Sequence, residues 1–374
     1  MKLVTTLFLI ILLAYIPCFC YAESRSNLET QDTIPIDIHR IIVVGDVHGD
    51  VDNFRKILTM ADIIDYPNND TNHVVWKPKW EEKEIELHRT YHTKLRTTLV
   101  QMGDLIDRGA NDLDVLEMAF SLFNQVKNNY TNDNVVLILG NHELLNLQGL
   151  FHYVEPESMG GFLTKTLRKR AFESDGEFGS FILKNFTVLH LDDGTVFVHA
   201  GLNEKVASMG VETINKATKE AIKDKNHKHP LLGSSGPLWT RKMIMDAMNG
   251  HCTNIQKMLL SIGAERIVVG HTVQRSGHVE TFCDDIVIAV DVGLSKWMYG
   301  NLAALEILVT THKLGSSATK SVEFREIMAS DVRRTQTLDE ALNDSLVLEE
   351  LQHAVEEFNH RQKIRGQEDI LGDL

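Results

Sequence analysis

A chain of 374 residues that is 43% hydrophobic and 24% charged has the make-up of an ordinary globular protein, long enough for one large core with appendages or two modest ones. Its formal net charge of -14 argues against nucleic acid as the main partner, because gripping phosphate backbones takes clustered Lys and Arg. An acidic chain can still act on phosphate esters when cations are gathered at one place, and metal ions would supply them.

At the N-terminus, Lys2 precedes an unbroken apolar run from Leu3 to Ile16, and Cys20, Tyr21 and Ala22 place small residues where a signal peptidase looks. The reading is a signal peptide over residues 1–22 and entry into the secretory pathway. The alternative is an uncleaved anchor, although the run is shorter than the ~20 residues a spanning helix needs. No later segment reaches that length, so no membrane span is expected after cleavage. Cys18 and Cys20 leave with the leader; Cys252 and Cys283 remain, either as one bridge or as two free thiols. Asn69, Asn129, Asn185 and Asn343 head glycosylation triplets.

Residues 23–39 form a polar lead-in without periodicity. Ile41 to Val44 is an apolar, β-branched run with the character of a buried strand, and it stops at Gly45, putting Asp46 and His48 on a loop at the strand's C-terminal end. A helix is expected over Val51–Ala61, then a polar surface insertion over about 62–96 with a short hairpin, its histidines His73, His88 and His92 solvated. The second run, Thr97 to Met102, ends in Gly103, Asp104, Asp107 and Arg108 and leads to a helix over Asp112–Lys127. The third, Val135 to Leu139, ends in Gly140-Asn141-His142-Glu143. Strand, polar loop and helix recurring in this way predict a parallel or mixed sheet covered by helices.

Phe162 to Leu183 reads as helical, and Thr195 to Val198 as a short strand ending in His199. A charged helical stretch from Asn203 closes on the solvent-facing cluster Asn226-His227-Lys228-His229, before the loop GSSGPLWTR that ends at Arg241. Arg266 to Val269 is a strand ending in Gly270-His271, and Asp285 to Val290 is the final core strand, followed by Asp291. Residues 313–374 turn to charged helix formers. There Leu338, Leu342, Leu351, Val355 and Phe358 can line one helical face, packed on the main domain or kept for a protein contact.

Five strand ends thus present Asp46, His48, Asp104, Asn141, His199 and His271. A lone Asp after a strand is usually a turn former and a lone His usually a core residue. Six such groups at one sheet edge, each after or beside a Gly, point instead to metal ligands. Mixed oxygen and imidazole donors suit manganese, iron or zinc, and the count suits two ions sharing a carboxylate, a device that ionises a bridging water for in-line attack on phosphorus. Arg108 offers a guanidinium fork for phosphate oxygens. If Asn141 points to the metals its neighbour His142 points away, free to protonate the leaving oxygen as general acid while Asp107 orients its ring. Glu143 is assigned a structural place at the start of the next helix.

The motifs GDVHG, GDLIDRG, GNHE, VHAG and VGHT, in this order, resemble the calcineurin-like metallophosphoesterase superfamily, and GDLIDRG with GNHE its phosphoprotein phosphatase branch. RAFESDGEFGSF, GPLWTR and VDVGLSKWMYGN are similar to the Shewanella-like protein phosphatases. This resemblance implies an α/β catalytic domain over about 40–312, with a central β-sandwich flanked by helices in four layers. It implies Asp46, His48 and Asp104 on one metal, and Asp104, Asn141, His199 and His271 on the other. It also places Arg241 beside Arg108 on the phosphate and implies a phosphorylated protein as substrate. A dinucleoside polyphosphate or another small ester is the alternative. Val273 stands where many superfamily members carry a second His, as in the protein phosphatase branch, and the toxin-binding segment of mainstream serine/threonine phosphatases is not recognisable, which implies toxin insensitivity.

Overall fold

The computed structural model describes residues 36–67, 70, 73–77, 94–314 and 317–328. The signal-peptide segment, His88 and His92, Asn69, Asn343 and the apolar positions from Leu338 to Phe358 lie outside them. In chain order the elements are β1 (Ile36–Val44), α1 (Val51–Met60), β2 (Ile64–Asp65), β3 (Val75–Trp76), β4 (Lys94–Gln101), α2 (Asp112–Asn129), β5 (Asn134–Leu137), α3 (Asn141–Leu147), α4 (Lys165–Phe172) and α5 (Glu177–Asn185). There follow β6 (Leu189–Asp192), β7 (Thr195–Val198), α6 (Glu204–Ala207), α7 (Val211–Lys223), α8 (Lys242–Met248), α9 (Cys252–Ser261), β8 (Arg266–Val269), β9 (Glu280–Phe282), β10 (Val287–Ala289), β11 (Ala303–Leu314) and β12 (Ser317–Met328).

Two five-stranded sheets carry the fold, in the orders β12-β11-β1-β4-β5 and β6-β7-β8-β10-β9. Strand alternation decides what each face covers. Ile41, Val43, Val100, Met102, Val136 and Ile138 of the first sheet meet Phe197, Val268, Ile288 and Val290 of the second in one dry cluster between the sheets. Ile42 and Val44 point the other way, onto Phe54, Ile57 and Leu58 of α1 and Val115, Leu116 and Ala119 of α2. Val196, Val198, Ile267 and Val269 do the same for the second sheet beneath α7, α8 and α9. A strand buried on both faces has no polar side, which is why these runs read as unbroken apolar stretches. The expected sandwich between helical layers is the fold observed.

Within each sheet three strands run parallel: β1, β4 and β5 in one, β7, β8 and β10 in the other. Their C-terminal ends share one crest of the sandwich, where open α/β folds gather their loops.

Four expectations need correction. The lead-in read over 23–39 contains the start of β1, since residues 36–39 pair with β11 and 37–39 also with β4. The polarity of His39 is met in the core by Thr98 Oγ1 at 2.8 Å and Asp193 Oδ2 at 2.6 Å. The insertion is not merely superficial: it does hold a two-stranded hairpin, but Ile63, Ile64, Val74 and Trp76 are buried. β10 is not the last core strand, and the C-terminal extension does not begin as a helix at 313, because β11 and β12 complete the first sheet. Val322 and Phe324 of β12 pack on the inter-sheet cluster while Glu323 and Arg325 alternate with them, and the charges proper to an edge strand resemble helix composition. Cys252 and Cys283 form a disulfide. His227 is exposed, and His229 is occupied in accepting the Leu231 N–H.

Candidate metal centre

The six parallel strand ends deliver one loop each to the crest: β1 carries Asp46 and His48, β4 Asp104, β5 Asn141, β7 His199, β8 His271 and β10 Asp291. The backbone bends sharply to do so. His48, Asp104, Asp107, Arg108 and His271 have φ of 47°, 52°, 70°, 68° and 62°, the left-handed region that non-glycine residues seldom adopt and that clusters at functional sites. Gly140 and Gly270 leave the room: a Cβ on Gly140 would overlap Asp104 Oδ1, and one on Gly270 would lie 2.5 Å from Asp46 Oδ1.

Donor atoms of His48, Asp104 and His142 lie within 4.8 Å of one another, and so do those of Asp104, His199 and His271. Asp104 belongs to both groups. Asn141 joins the second through its Oδ1, 2.9 Å from His199 Nε2, and Asp46 Oδ1 accepts the His271 N–H at 3.2 Å. All six residues singled out as ligands are therefore buried in one place. His142 does not point away as expected from its neighbour Asn141: its Nδ1 donates to Asp107 Oδ2 at 2.8 Å and its Nε2 faces the same space, 3.8 Å from Asp104 Oδ2. Arg108 and Arg241 are exposed at the rim. The Arg108 guanidinium lies over the Tyr153 ring, 5.4 Å from its centroid, and its amide donates to Tyr153 O at 2.8 Å. Arg241 Nη1 donates to His271 O at 2.8 Å and to Thr272 Oγ1 at 2.9 Å.

Support for these ligands comes largely from backbone and buried side chains. Glu143 accepts the amides of Asp104, Leu105 and Gly140, so the structural place expected for it is that of a staple between two ligand loops. His48 Nδ1 and His199 Nδ1 donate to the carbonyls of Ile106 and Met102, which leaves Nε2 of each for a cation.

Electrostatics test whether cations fit. Asp46, Asp104 and Asp291 are carboxylates with almost no exposure, and Asp291 Oδ2 has no hydrogen-bond partner among the described residues. Burial, reinforced by the charge of Asp291, raises Asp46 well above the usual carboxylate range, and burial carries Asp291 to about 6. Burial opposes charge on His199 as well, but Asp104 beside it carries the ring up to about 10. His48 and His271 are pushed down to about 3 by burial, His271 further by its neighbour His199, and so stay neutral as coordination requires. A protein-only site must borrow a proton on His199 to offset clustered carboxylates. Divalent cations would do this directly, and the oxygen and imidazole donors suit them.

Asp291 is the site residue that sequence reasoning left out. Its signal was the same as for Asp46, an acid directly after an apolar strand, and Val287 to Val290 leads straight into it. Arg168 and Asn146, which contact Asp107, carried no signal: Arg168 sits among the exposed basic residues Lys165, Lys169 and Arg170.

A carboxylate shared by two donor groups at the crest of a helix-flanked β-sandwich defines the dimetal phosphoesterases as a class. Residues 39–275 match the calcineurin-like phosphoesterase family, and the chain belongs to it as a metal-dependent phosphatase. Among its relatives are Shewanella-like protein phosphatase 1 of Plasmodium berghei, 27% identical over 290 residues covering 74% of this chain and 73% of that protein. Shewanella-like protein phosphatase 2 of Arabidopsis thaliana is 26% identical over 324 residues, covering 74% and 75%. The resemblance read from the motifs is borne out. A solved cold-active protein-tyrosine phosphatase of a psychrophilic Shewanella species shares the fold, with a TM-score of 0.57 and 21% identity over 78% of this chain and 83% of that one.

Proposed function

We propose that the chain removes phosphate from side chains of phosphorylated proteins, with His142 as general acid. The observation that carries this is the joining of Asp104, common to both donor groups, to the buried His142–Asp107 pair at one crest. Two divalent ions, with manganese, iron and zinc all suited to the donors, would supply Lewis acidity toward the phosphoryl oxygens and an ionised water at neutral pH. Asp46, His48 and Asp104 would hold one ion, and Asp104, Asn141, His199 and His271 the other. Arg108, steadied by Tyr153, and Arg241, fastened to the His271 loop, grip the remaining phosphate oxygens. Asp107 accepts a hydrogen bond from His142 Nδ1–H, so the catalytic proton resides on Nε2 and passes to the leaving oxygen as the P–O bond breaks. The apolar leader and the Cys252–Cys283 bridge both support a secretory location.

The test is turnover by the mature, manganese-loaded chain of matched phosphoserine, phosphothreonine and phosphotyrosine peptides against dinucleoside polyphosphates. Release of phosphate from peptides well above the nucleotides is expected. Preference for the nucleotides would replace the protein substrate by a small ester.

A further inference from the structure

Arg168 of α4 has no solvent exposure, and each nitrogen of its guanidinium has an acceptor. Nη2 donates to Asp107 Oδ1 at 2.9 Å, Nε to Asn146 Oδ1 at 2.8 Å and Nη1 to Met159 O at 3.0 Å. Nη1 also forms an ion pair with Asp112 Oδ2 at 2.7 Å. Phe162, Phe172 and Phe151 surround the group, with ring centroids 5.1, 5.3 and 5.9 Å from its central carbon. Asn146 Nδ2 reaches the same Asp107 Oδ1 at 2.9 Å, and Asp112 Oδ1 accepts the Asp107 amide at 2.9 Å. The amide and Oδ1 of Asp107 are thereby held by Asp112, Asn146 and Arg168, and Oδ2 faces His142.

Burying one guanidinium with two carboxylates is costly unless geometry is tightly held, and a salt bridge kept only for stability is often better replaced by apolar packing. We infer that Arg168 is a positioning residue for proton donation. It turns Asp107 so that Oδ2 meets the Nδ1 hydrogen of His142, and with Asn146 it fixes the ring whose Nε2 serves the leaving oxygen. The inference rests on the phosphatase reading. The polar partners of Arg168 are Asp107, Asn146, Met159 and Asp112, none of them a candidate ligand, so its effect should be confined to the step that needs the proton. Esters whose leaving group is stable as an anion hardly need it; esters of more basic alcohols do.

The test compares kcat and KM of the full, manganese-loaded chain on phenyl phosphate and on para-nitrophenyl phosphate, for wild type, Arg168→Lys and Asn146→Ala. Lysine keeps the charge but not the planar fork. Arg168→Lys should lose at least about tenfold in kcat on phenyl phosphate, toward the ~10²–10⁴ that general-acid catalysis contributes, and under about twofold on the nitrophenyl ester. KM and bound manganese should not change. Asn146→Ala, which leaves the Arg168–Asp112 pair in place, should show a smaller loss with the same leaving-group bias, and it decides the matter alone if Arg168→Lys does not fold. Equal losses on both esters, or none on either, would overturn the inference. Wild-type chain inert toward both esters would sink the phosphatase reading itself, and the inference with it.

Discussion

Asp104 carries more of the site than any other residue. Its Oδ1 accepts the His142 amide at 2.9 Å, and its Oδ2 lies 3.3 Å from His199 Nε2 and 4.0 Å from His48 Nε2. Burial opposes its charge, but the rings of His199 and His142 outweigh burial and hold it well below the usual carboxylate range. Asparagine tolerates the φ of 52° and keeps an oxygen for the His142 amide, so Asp104→Asn removes charge with little change of backbone. Activity should fall by at least about a hundredfold and bound metal should drop, read by turnover and metal analysis, with the melting temperature close to wild type. The candidate ligands were legible together because six charged, amide or imidazole side chains at the ends of apolar strands have few other uses. Arg168 was not, because burial alone separates it from its basic neighbours.

Among the elements, the β2–β3 hairpin of the insertion shows how local polarity misleads. Trp76 is 2% exposed, its Nε1 donates to Asp133 Oδ2 at 2.8 Å, and its amide donates to Gln125 Oε1 at 2.9 Å. Asp133 also accepts the Thr97 amide at 2.8 Å, so one carboxylate joins the hairpin to β4. Trp76→Ala should cost about 3–5 kcal/mol in a denaturant melt while kcat at low temperature is kept, since the residue lies apart from the crest. Asp50 caps α1 by accepting the Asn53 amide at 3.1 Å and accepts the Lys296 amide at 2.6 Å, which ties the first ligand loop to the segment after Asp291. No pattern within either segment announces that tie.

At the scale of the whole molecule, a second polar knot bridges the two sheets on β1, β4 and the β6–β7 turn. Asp193 accepts from His39 Nδ1 at 2.6 Å and from Arg96 at 2.8 Å, with Lys320 Nζ 3.5 Å away. The His39 hydrogen bond is the main cause that holds its carboxyl far below the usual range. A carboxyl depressed in the fold stabilises fully above its unfolded value of about 4, and that contribution is lost as pH falls through the folded value. Asp193→Asn should therefore melt below wild type near neutral pH, and the gap should close as the pH is taken well under about 4. A gap that persisted unchanged in acid would show that the carboxylate charge is not what binds the sheets there.

By itself the sequence determined the strand-and-helix frame, the loops that carry the candidate ligands and the family, because buried strands and clustered metal-type donors leave few chemically sensible alternatives. It did not determine the sheet order, the strands β11 and β12, the disulfide, or the place of Asp291 and Arg168. Those depend on which distant segments meet, and a charged side chain looks the same in sequence whether it points to water or into the core.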